Sequence, residues 1–178
     1  MTTTPQTVQQ YLALFAARAL DGMVEALDGL THEELHFRAA PTANSIGWEA
    51  WHLFRTADNI VHFVFHRERP VWLEQGLNDA WSLPRNEQGT GMDPEVAHAM
   101  TFPEADLLAA YGRDVRAAVI PRIEAMTDDE LQVVSLVRPW GEITRAEAIL
   151  QTIIAHGNGH LGQVSMARAI LGKTGQGF

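Results

Sequence analysis

The sequence of 178 residues contains no cysteine, and this absence excludes disulfide bonds, thiolate metal sites and cysteine nucleophiles. Any thiol chemistry would therefore need a sulfur atom that arrives on a small molecule. Basic residues are also few, because 13 Lys and Arg stand against 22 Asp and Glu and the formal net charge is −9. A nucleic-acid-binding surface needs clustered Lys and Arg, so nucleic acid is not expected as a partner.

Long apolar runs are missing as well. No stretch approaches the roughly 20 residues that span a bilayer, and the N-terminus lacks the basic start and apolar core of a signal peptide. We therefore expect a soluble cytoplasmic protein without a membrane partner. Hydrophobic residues make up 46% and charged residues 20% of the chain, a globular composition, and the length predicts one domain over residues 1–178.

Apolar residues recur at three- and four-residue steps, which predicts four long amphipathic helices and an all-α fold. The predicted helices run from Pro5 to Asp28 with Thr4 as N-cap, from Ser45 to the residue before Pro70, from a capping box at Thr101–Glu104 through Pro121, and from Thr144 to about Leu171. Residues 70–100 are predicted to form a long connection that packs on the body through Trp72 and Trp81. Val133–Val137 is β-prone but has no evident partner strand, so it is interpreted as an extended connector.

Two histidines fall on the apolar seam of the fourth helix. The seam steps by 4, 3, 4, 3, 4 and 3 residues through Ile149, Ile153, His156, His160, Gln163, Ala167 and Ile170. Buried imidazole nitrogens without partners cost about 1–3 kcal/mol each, so two of them one turn apart need a shared explanation. Residues at i and i+4 lie side by side on one helix face, and two such rings can bind one metal ion.

A third ligand is expected from the second helix, where His52 is surrounded by bulky apolar residues that predict burial. Three neutral imidazoles leave at least one coordination position for water or substrate, which is typical of a catalytic metal. The other histidines are interpreted as surface residues: His62 and His66 at the end of the second helix, and His32 and His36 in a short connecting piece. Glu49-x-x-His52 and Glu95-x-x-His98 match an element of di-iron bundles, but Glu95-x-x-His98 falls in the irregular connection and the fourth helix offers histidines instead.

The segments Asn44–Leu53 and His156–Gln163 resemble the two signature regions of DinB-like proteins, and the resemblance covers nearly the whole chain. It implies a four-helix bundle with up-down-down-up topology and a long crossover between helices 2 and 3. It also implies a metal, zinc or nickel, on His52, His156 and His160, and a homodimer. Relatives of this kind include thiol-dependent S-transferases and mycothiol-dependent maleylpyruvate isomerases.

The resemblance leaves three functions open. In the first, the metal activates a low-molecular-weight thiol that attacks an electrophilic small molecule. In the second, the same ion activates water for hydrolysis, and in the third the bundle binds a metal or ligand without catalysis. Gln163 is expected either to hydrogen-bond a ligand or to satisfy a buried polar neighbour. Arg55 is expected to bind a cofactor carboxylate or, alternatively, to form an ion pair with Asp58 or Glu49.

Overall fold

Helices dominate the computed structural model of the chain, which describes residues 4–175. They are α1 (Val8–Ala26), α2 (His32–Leu35), α3 (Ile46–Asp58), α4 (Val71–Glu74), α5 (Leu77–Ala80), α6 (Pro94–Ala99), α7 (Ala105–Glu124), α8 (Asp128–Gln132), α9 (Arg145–Ala148) and α10 (His156–Ile170). Two π-helical stretches extend this set: Asn59–Phe65 continues α3, and Ile149–Ala155 joins α9 to α10. Four long helical segments result, and they coincide with the four predicted helices.

The first helix starts three residues later than predicted. Its N-cap is Thr7 rather than Thr4, and the Thr7 side chain accepts a hydrogen bond from the backbone N–H of Gln10. The Gln10 side chain in turn accepts from the backbone N–H of Gln6 at 2.8 Å. These reciprocal bonds satisfy amide groups that the first turn leaves unpaired, so the helix begins where they are available.

The predicted capping box at Thr101 is wrong, because α7 begins only at Ala105. The backbone of Phe102 is held by the short helix α2 instead. Its N–H donates to Nε2 of His36 at 2.9 Å, and its carbonyl accepts from Nε2 of His32 at 3.1 Å. These two bonds keep the segment before α7 extended, and they give both histidines a partner that the surface interpretation did not foresee.

The β-prone segment is a strand rather than a connector. Strand β1 (Val134–Val137) pairs antiparallel with β2 (Gly141–Thr144), and Val134 lies opposite Thr144. The partner strand, Gly141–Thr144, occupies residues that the sequence predicts as the turn before the fourth helix and its N-cap. Thr144 nevertheless caps that helix as predicted, in a capping box with Glu147.

The long segments pack around one apolar core. Helix α1 lies along α7, while α3 contacts both α7 and α10. The connection from α3 to α7 contains the short helices α4, α5 and α6 and covers the core with its tryptophans. The Trp72 ring lies 5.3 Å from the Tyr111 ring and 5.5 Å from the Trp81 ring, which confirms the predicted packing. Among residues 4–175, no helix combines the length and apolar character of a bilayer span.

Asp58, at the end of α3, is completely buried and joins three elements. Its carboxylate accepts hydrogen bonds from the backbone N–H groups of Val71 and Trp72 and from the Tyr111 hydroxyl, each at 2.9 Å. Burial and the neighbouring Asp58 charge raise the pKa of Tyr111 well above its ordinary value. Nδ1 of His62 lies 2.8 Å from the same carboxylate. His62 is therefore a buried partner of Asp58, and the surface interpretation of it is wrong.

Candidate metal centre

His52 lies in the middle of α3 with only 2% of its surface exposed. Its ring stacks on Trp48, one turn earlier, at a centroid distance of 4.7 Å. Nδ1 of His52 pairs with the backbone carbonyl of Gln88 in the crossover. Because a carbonyl oxygen only accepts, Nδ1 carries the proton and Nε2 keeps a free lone pair.

His160 is oriented in the same way by a carboxylate. Its Nδ1 donates to Glu49, which lies one turn before His52 on α3 and is 2% exposed. Nε2 of His160 is therefore also available as a ligand. It lies 2.9 Å from Nε2 of His156, one turn earlier on α10. His156 is the most accessible of the three rings, since it is only partly buried and its outer side faces Trp140 at 5.8 Å.

The three rings meet at one point between α3 and α10. Ring centroids are 5.1 Å apart for His52 and His156, 4.8 Å for His52 and His160, and 4.2 Å for His156 and His160. One nitrogen from each ring lies within 4.8 Å of the other two. Nitrogens bound at about 2.0–2.1 Å to one ion are separated by roughly 2.9 Å at a right angle and 3.4 Å at a tetrahedral angle. The 2.9 Å between Nε2 of His156 and Nε2 of His160 matches these separations, and with His52 close by the three rings can hold a divalent metal.

The electrostatics of the cluster favour neutral rings. The pKa of His52 is lowered from 6.5 to about 3, chiefly by burial and to a lesser degree by the neighbouring His160 and His156, while the Gln88 carbonyl opposes the shift. Burial and then His160 also lower the pKa of His156. Since only a neutral imidazole can coordinate a metal, the lowered pKa values keep His52 and His156 in the binding form at neutral pH.

Comparison with known proteins identifies the family of this chain. The family model described as the DinB superfamily matches residues 16–164. The chain belongs to the DinB superfamily. This confirms the resemblance of the segments Asn44–Leu53 and His156–Gln163 to DinB-like proteins.

Two solved structures share the fold of this DinB protein. A conserved protein from Enterococcus faecalis is 24% identical, with a TM-score of 0.80 over 95% of this chain and 100% of that one. A DinB-like protein from Bacillus cereus ATCC 10987 is 20% identical, with a TM-score of 0.65 over 98% of this chain and 99% of that one. None of the curated proteins is significantly similar to this chain. At these identities the likeness shows the fold alone.

Arg55 is buried beside Asp58 in this DinB chain. It is 1% exposed, its Nη1 lies 3.8 Å from Asp58, and its guanidinium lies 5.1 Å from the Trp72 ring centre. Nη2 also approaches the Glu87 carbonyl at 3.5 Å. The ion pair with Asp58 is the expected alternative, although it is buried rather than on the surface. Binding of a cofactor carboxylate by Arg55 stays a prediction.

Gln163 does not follow the histidines into the interior. Within α10 the buried face runs through Gly157, His160, Leu161, Val164 and Ala167, so it passes beside Gln163 and does not include it. Val164 and Ala167 are buried after His160, whereas Gln163 and Ile170 are exposed. The predicted seam is therefore confirmed at Ala167 and wrong at Gln163 and Ile170, and Gln163 lies at the surface beside the site.

Three features of the centre were missed from the sequence. Glu49 could have been found, because it lies three residues before His52 on a buried helix and a buried carboxylate needs a partner. The Gln88 carbonyl and the close approach of Gly89 to His52 could not have been found from the sequence, because they depend on the path of the crossover. A β-carbon on Gly89 would lie 2.8 Å from Nδ1 of His52 and 2.7 Å from the Trp48 ring.

Proposed function

We propose that this DinB protein is a metal-dependent transferase that joins the sulfur of a low-molecular-weight thiol to an electrophilic small molecule. The observation that carries the proposal is the cluster of His52, His156 and His160, in which one ring nitrogen of each lies within 4.8 Å of the other two. Among residues 4–175 no fourth His, Asp or Glu joins this cluster. Three protein ligands leave a coordination position for a small molecule. The chain has no cysteine, so the sulfur comes from outside.

Different residues of the chain have different roles at the proposed site. Gln88 and Glu49 accept the Nδ1 protons of His52 and His160, which fixes both tautomers and turns both Nε2 atoms inward. The stacked Trp48 ring closes the buried side. The partly exposed His156 marks the side from which a thiol and its electrophile would enter. A divalent ion held there, zinc or nickel, supplies the Lewis acidity that lowers the pKa of a thiol toward neutral pH.

The arrangement of the helices is part of the proposal. We infer a four-helix bundle with up-down-down-up topology, in which α3 and α7 run parallel. The long connection between them supports this, because parallel neighbours need a link that travels the length of the bundle. A homodimer and a cytoplasmic location stay predictions.

The experiment uses untagged protein, so that no foreign histidines bind metal. Bound metal is measured by elemental analysis, and the loaded protein is then mixed with an aryl halide, with and without a small thiol. Halide release that requires the thiol and is lost in His156→Ala supports the transferase. Asn158→Ala, at an exposed position of the same helix, serves as the matched control.

The other outcomes contradict the proposal in different ways. Ester hydrolysis that does not need a thiol would assign the site to a hydrolase. One equivalent of metal with neither activity would leave a binding bundle. Full metal content in His156→Ala would refute the ligand assignment itself.

A further inference from the structure

Trp140 is an aromatic residue on the accessible side of the metal centre. Its ring lies 5.8 Å from that of His156, at an interplanar angle of 84°, and both side chains are half-buried. Trp48 also touches the cluster, with its ring 4.7 Å from that of His52, but it is only 6% exposed. Apart from histidines, these two are the aromatic residues within 4–175 in ring contact with the cluster. Of the two, Trp140 is the one that a bound molecule can reach.

A tight hairpin loop fixes the position of Trp140. The loop joins β1 to β2 through three residues that begin at Arg138 and end at Trp140, and the pair Val137–Gly141 closes it. Gly141 has a φ of +88°, which is the left-handed conformation that three-residue hairpin loops use. Arg138 and Pro139 are exposed, whereas the indole packs partly on the core. The loop therefore holds one part of the indole against the body and leaves the rest in solvent.

The base of the hairpin is tied to the body of the protein. The backbone N–H of Arg145 donates to the Val133 carbonyl at 3.0 Å, and Nη2 of Arg145 donates to the Phe65 carbonyl at 2.6 Å. The Val137 side chain, next to the loop, is 2% exposed. These contacts place the tip of the hairpin beside His156 as part of the folded structure.

The electrophile of the proposed reaction reaches the cluster on this side. His52 and His160 are 2% and 9% exposed, whereas His156 is less buried than either. Since His156 marks the accessible side and Trp140 is its ring neighbour, a molecule that reacts at the cluster comes within contact range of the indole.

We infer that Trp140 determines which electrophile the protein accepts, by packing against an aromatic ring on that molecule. Aromatic rings add stacking or edge-to-face attraction to the area that they bury, and this gives a preference of about two- to tenfold over a saturated ring of the same size. The inference rests on the proposed transferase function, because that function supplies the electrophile. It names the substrate class as an aryl or arylmethyl electrophile.

The first titration uses full-length protein without thiol, both metal-free and loaded with Zn²⁺, and two probes that differ in their ring. Nitrobenzene is aromatic and nitrocyclohexane is saturated. The chain has five tryptophans, and Trp140→Phe identifies the indole N–H NMR signal of Trp140 by its loss. We expect nitrobenzene to shift this signal most and to bind about two- to tenfold tighter than nitrocyclohexane. Equal affinities, or shifts confined to the other four indoles, would overturn the inference.

Three variants test the contribution of the indole itself. Trp140→Ala should abolish the preference for nitrobenzene, and Trp140→Phe, which keeps an aromatic ring, should retain most of it. Arg138→Ala changes an exposed residue of the same loop and is the matched control, so its preference should equal that of the wild type. A preference that survives in Trp140→Ala would refute the role of Trp140.

Zinc affinity distinguishes substrate recognition from support of the metal centre. Chelator competition should give the same affinity for the wild type and Trp140→Ala, because the substitution leaves the Nδ1 partners of His52 and His160 in place. A loss of zinc affinity together with an equal loss of both probes would show that Trp140 only supports the site, and this would overturn the inference. None of these measurements needs turnover, so their failure is distinct from failure of the transferase proposal.

Turnover supplies the last comparison. In the transfer, the thiolate sulfur bonds to the carbon that carries the halogen, and the halide leaves with the electron pair of the broken bond. Trp140→Ala should raise KM for 1-chloro-2,4-dinitrobenzene about two- to tenfold with little change in kcat, and it should leave KM for iodoethane, which has no ring, unchanged. An equal rise for both halides would contradict the inference. Absence of halide release from either compound in the wild type would instead contradict the transferase proposal.

Discussion

Gly89→Ala tests whether the crossover orients a metal ligand. Gly89 has a φ of +102°, and a β-carbon there would lie 2.8 Å from Nδ1 of His52 and 2.7 Å from the Trp48 ring. Ordinary contacts between such atoms begin near about 3.5 Å, so the chain or the ring must move by roughly 0.7 Å. The carbonyl that fixes His52 belongs to the preceding residue, Gln88. The substitution therefore displaces this hydrogen bond directly.

The expected effect is a loss of metal affinity. Removing the hydrogen-bond partner of a metal-binding histidine typically costs about 10–100-fold in affinity. We expect a decrease of this size for Zn²⁺ in Gly89→Ala, measured by competition with a chromophoric chelator. Backbone strain at the same position adds roughly 1–3 kcal/mol of destabilisation, which is measured separately by urea denaturation of the metal-free protein.

Gly91→Ala is the matched control. Gly91 also has a positive φ, +70°, but a β-carbon there would meet nothing within 4 Å. Both variants place a side chain on left-handed backbone in the same crossover, and only Gly89→Ala contacts His52. Equal zinc affinities for the two variants would show that the crossover does not orient the ligand, and the reasoning would be refuted.

Three further predictions follow from the same geometry. His156→Ala should remove most of the bound metal and lower the melting temperature of the metal-loaded protein, as measured by elemental analysis and calorimetry; retention of one equivalent would contradict this. The pKa of His52 falls from 6.5 to about 3 on folding, so the unfolded chain binds the extra proton. The metal-free protein should therefore lose stability as the pH falls below 6.5, by about 2 kcal/mol at pH 5 in urea titrations, a loss that His52→Gln should lack. Gly157→Ala should destabilise by about 1–3 kcal/mol, because its β-carbon would lie 2.8 Å from Leu53. In contrast, Gly159→Ala, with nothing within 4 Å, should stabilise by about 0.5–1 kcal/mol in the same denaturation assay.

The parts of the fold that depend on local pattern were predictable. The four long helices follow from apolar periodicity, and the cap at Thr144 follows from its spacing to Glu147. The hairpin was missed because strand pairing is not local: β1 is recognisable only once Gly141–Thr144 is seen as its partner. The start of α7 was misplaced for a related reason, since the Phe102 backbone bonds to histidines about seventy residues earlier in the chain.

At the metal centre, too, the features that depend on local pattern were predictable and those that depend on distant contacts were not. His156 and His160 were identifiable because two polar residues one turn apart interrupt an apolar seam, and His52 because its neighbours predict burial. The extension of that seam to Gln163 failed because the buried face of α10 continues from His160 through Val164, and a choice between two adjacent positions is not decided by spacing alone. The partners of His52 and His160 come from a loop carbonyl and from another helix, and neither contact has a signature in the spacing of residues.

Buried polar residues at every third position of α3 explain how one helix serves several neighbours. Glu49, His52, Arg55 and Asp58 are each at most 2% exposed. Three residues turn an α-helix by about 300°, so each successive side chain points about 60° further round the axis. The stripe accordingly meets α10 through Glu49, the crossover through His52 and Arg55, and α7 through Asp58. Because rotating α3 would leave all four groups buried without these partners, at a cost of about 1–3 kcal/mol or more for each, the stripe fixes the rotation of the helix. The direction in which His52 faces is therefore set by the whole stripe and not by the metal site alone.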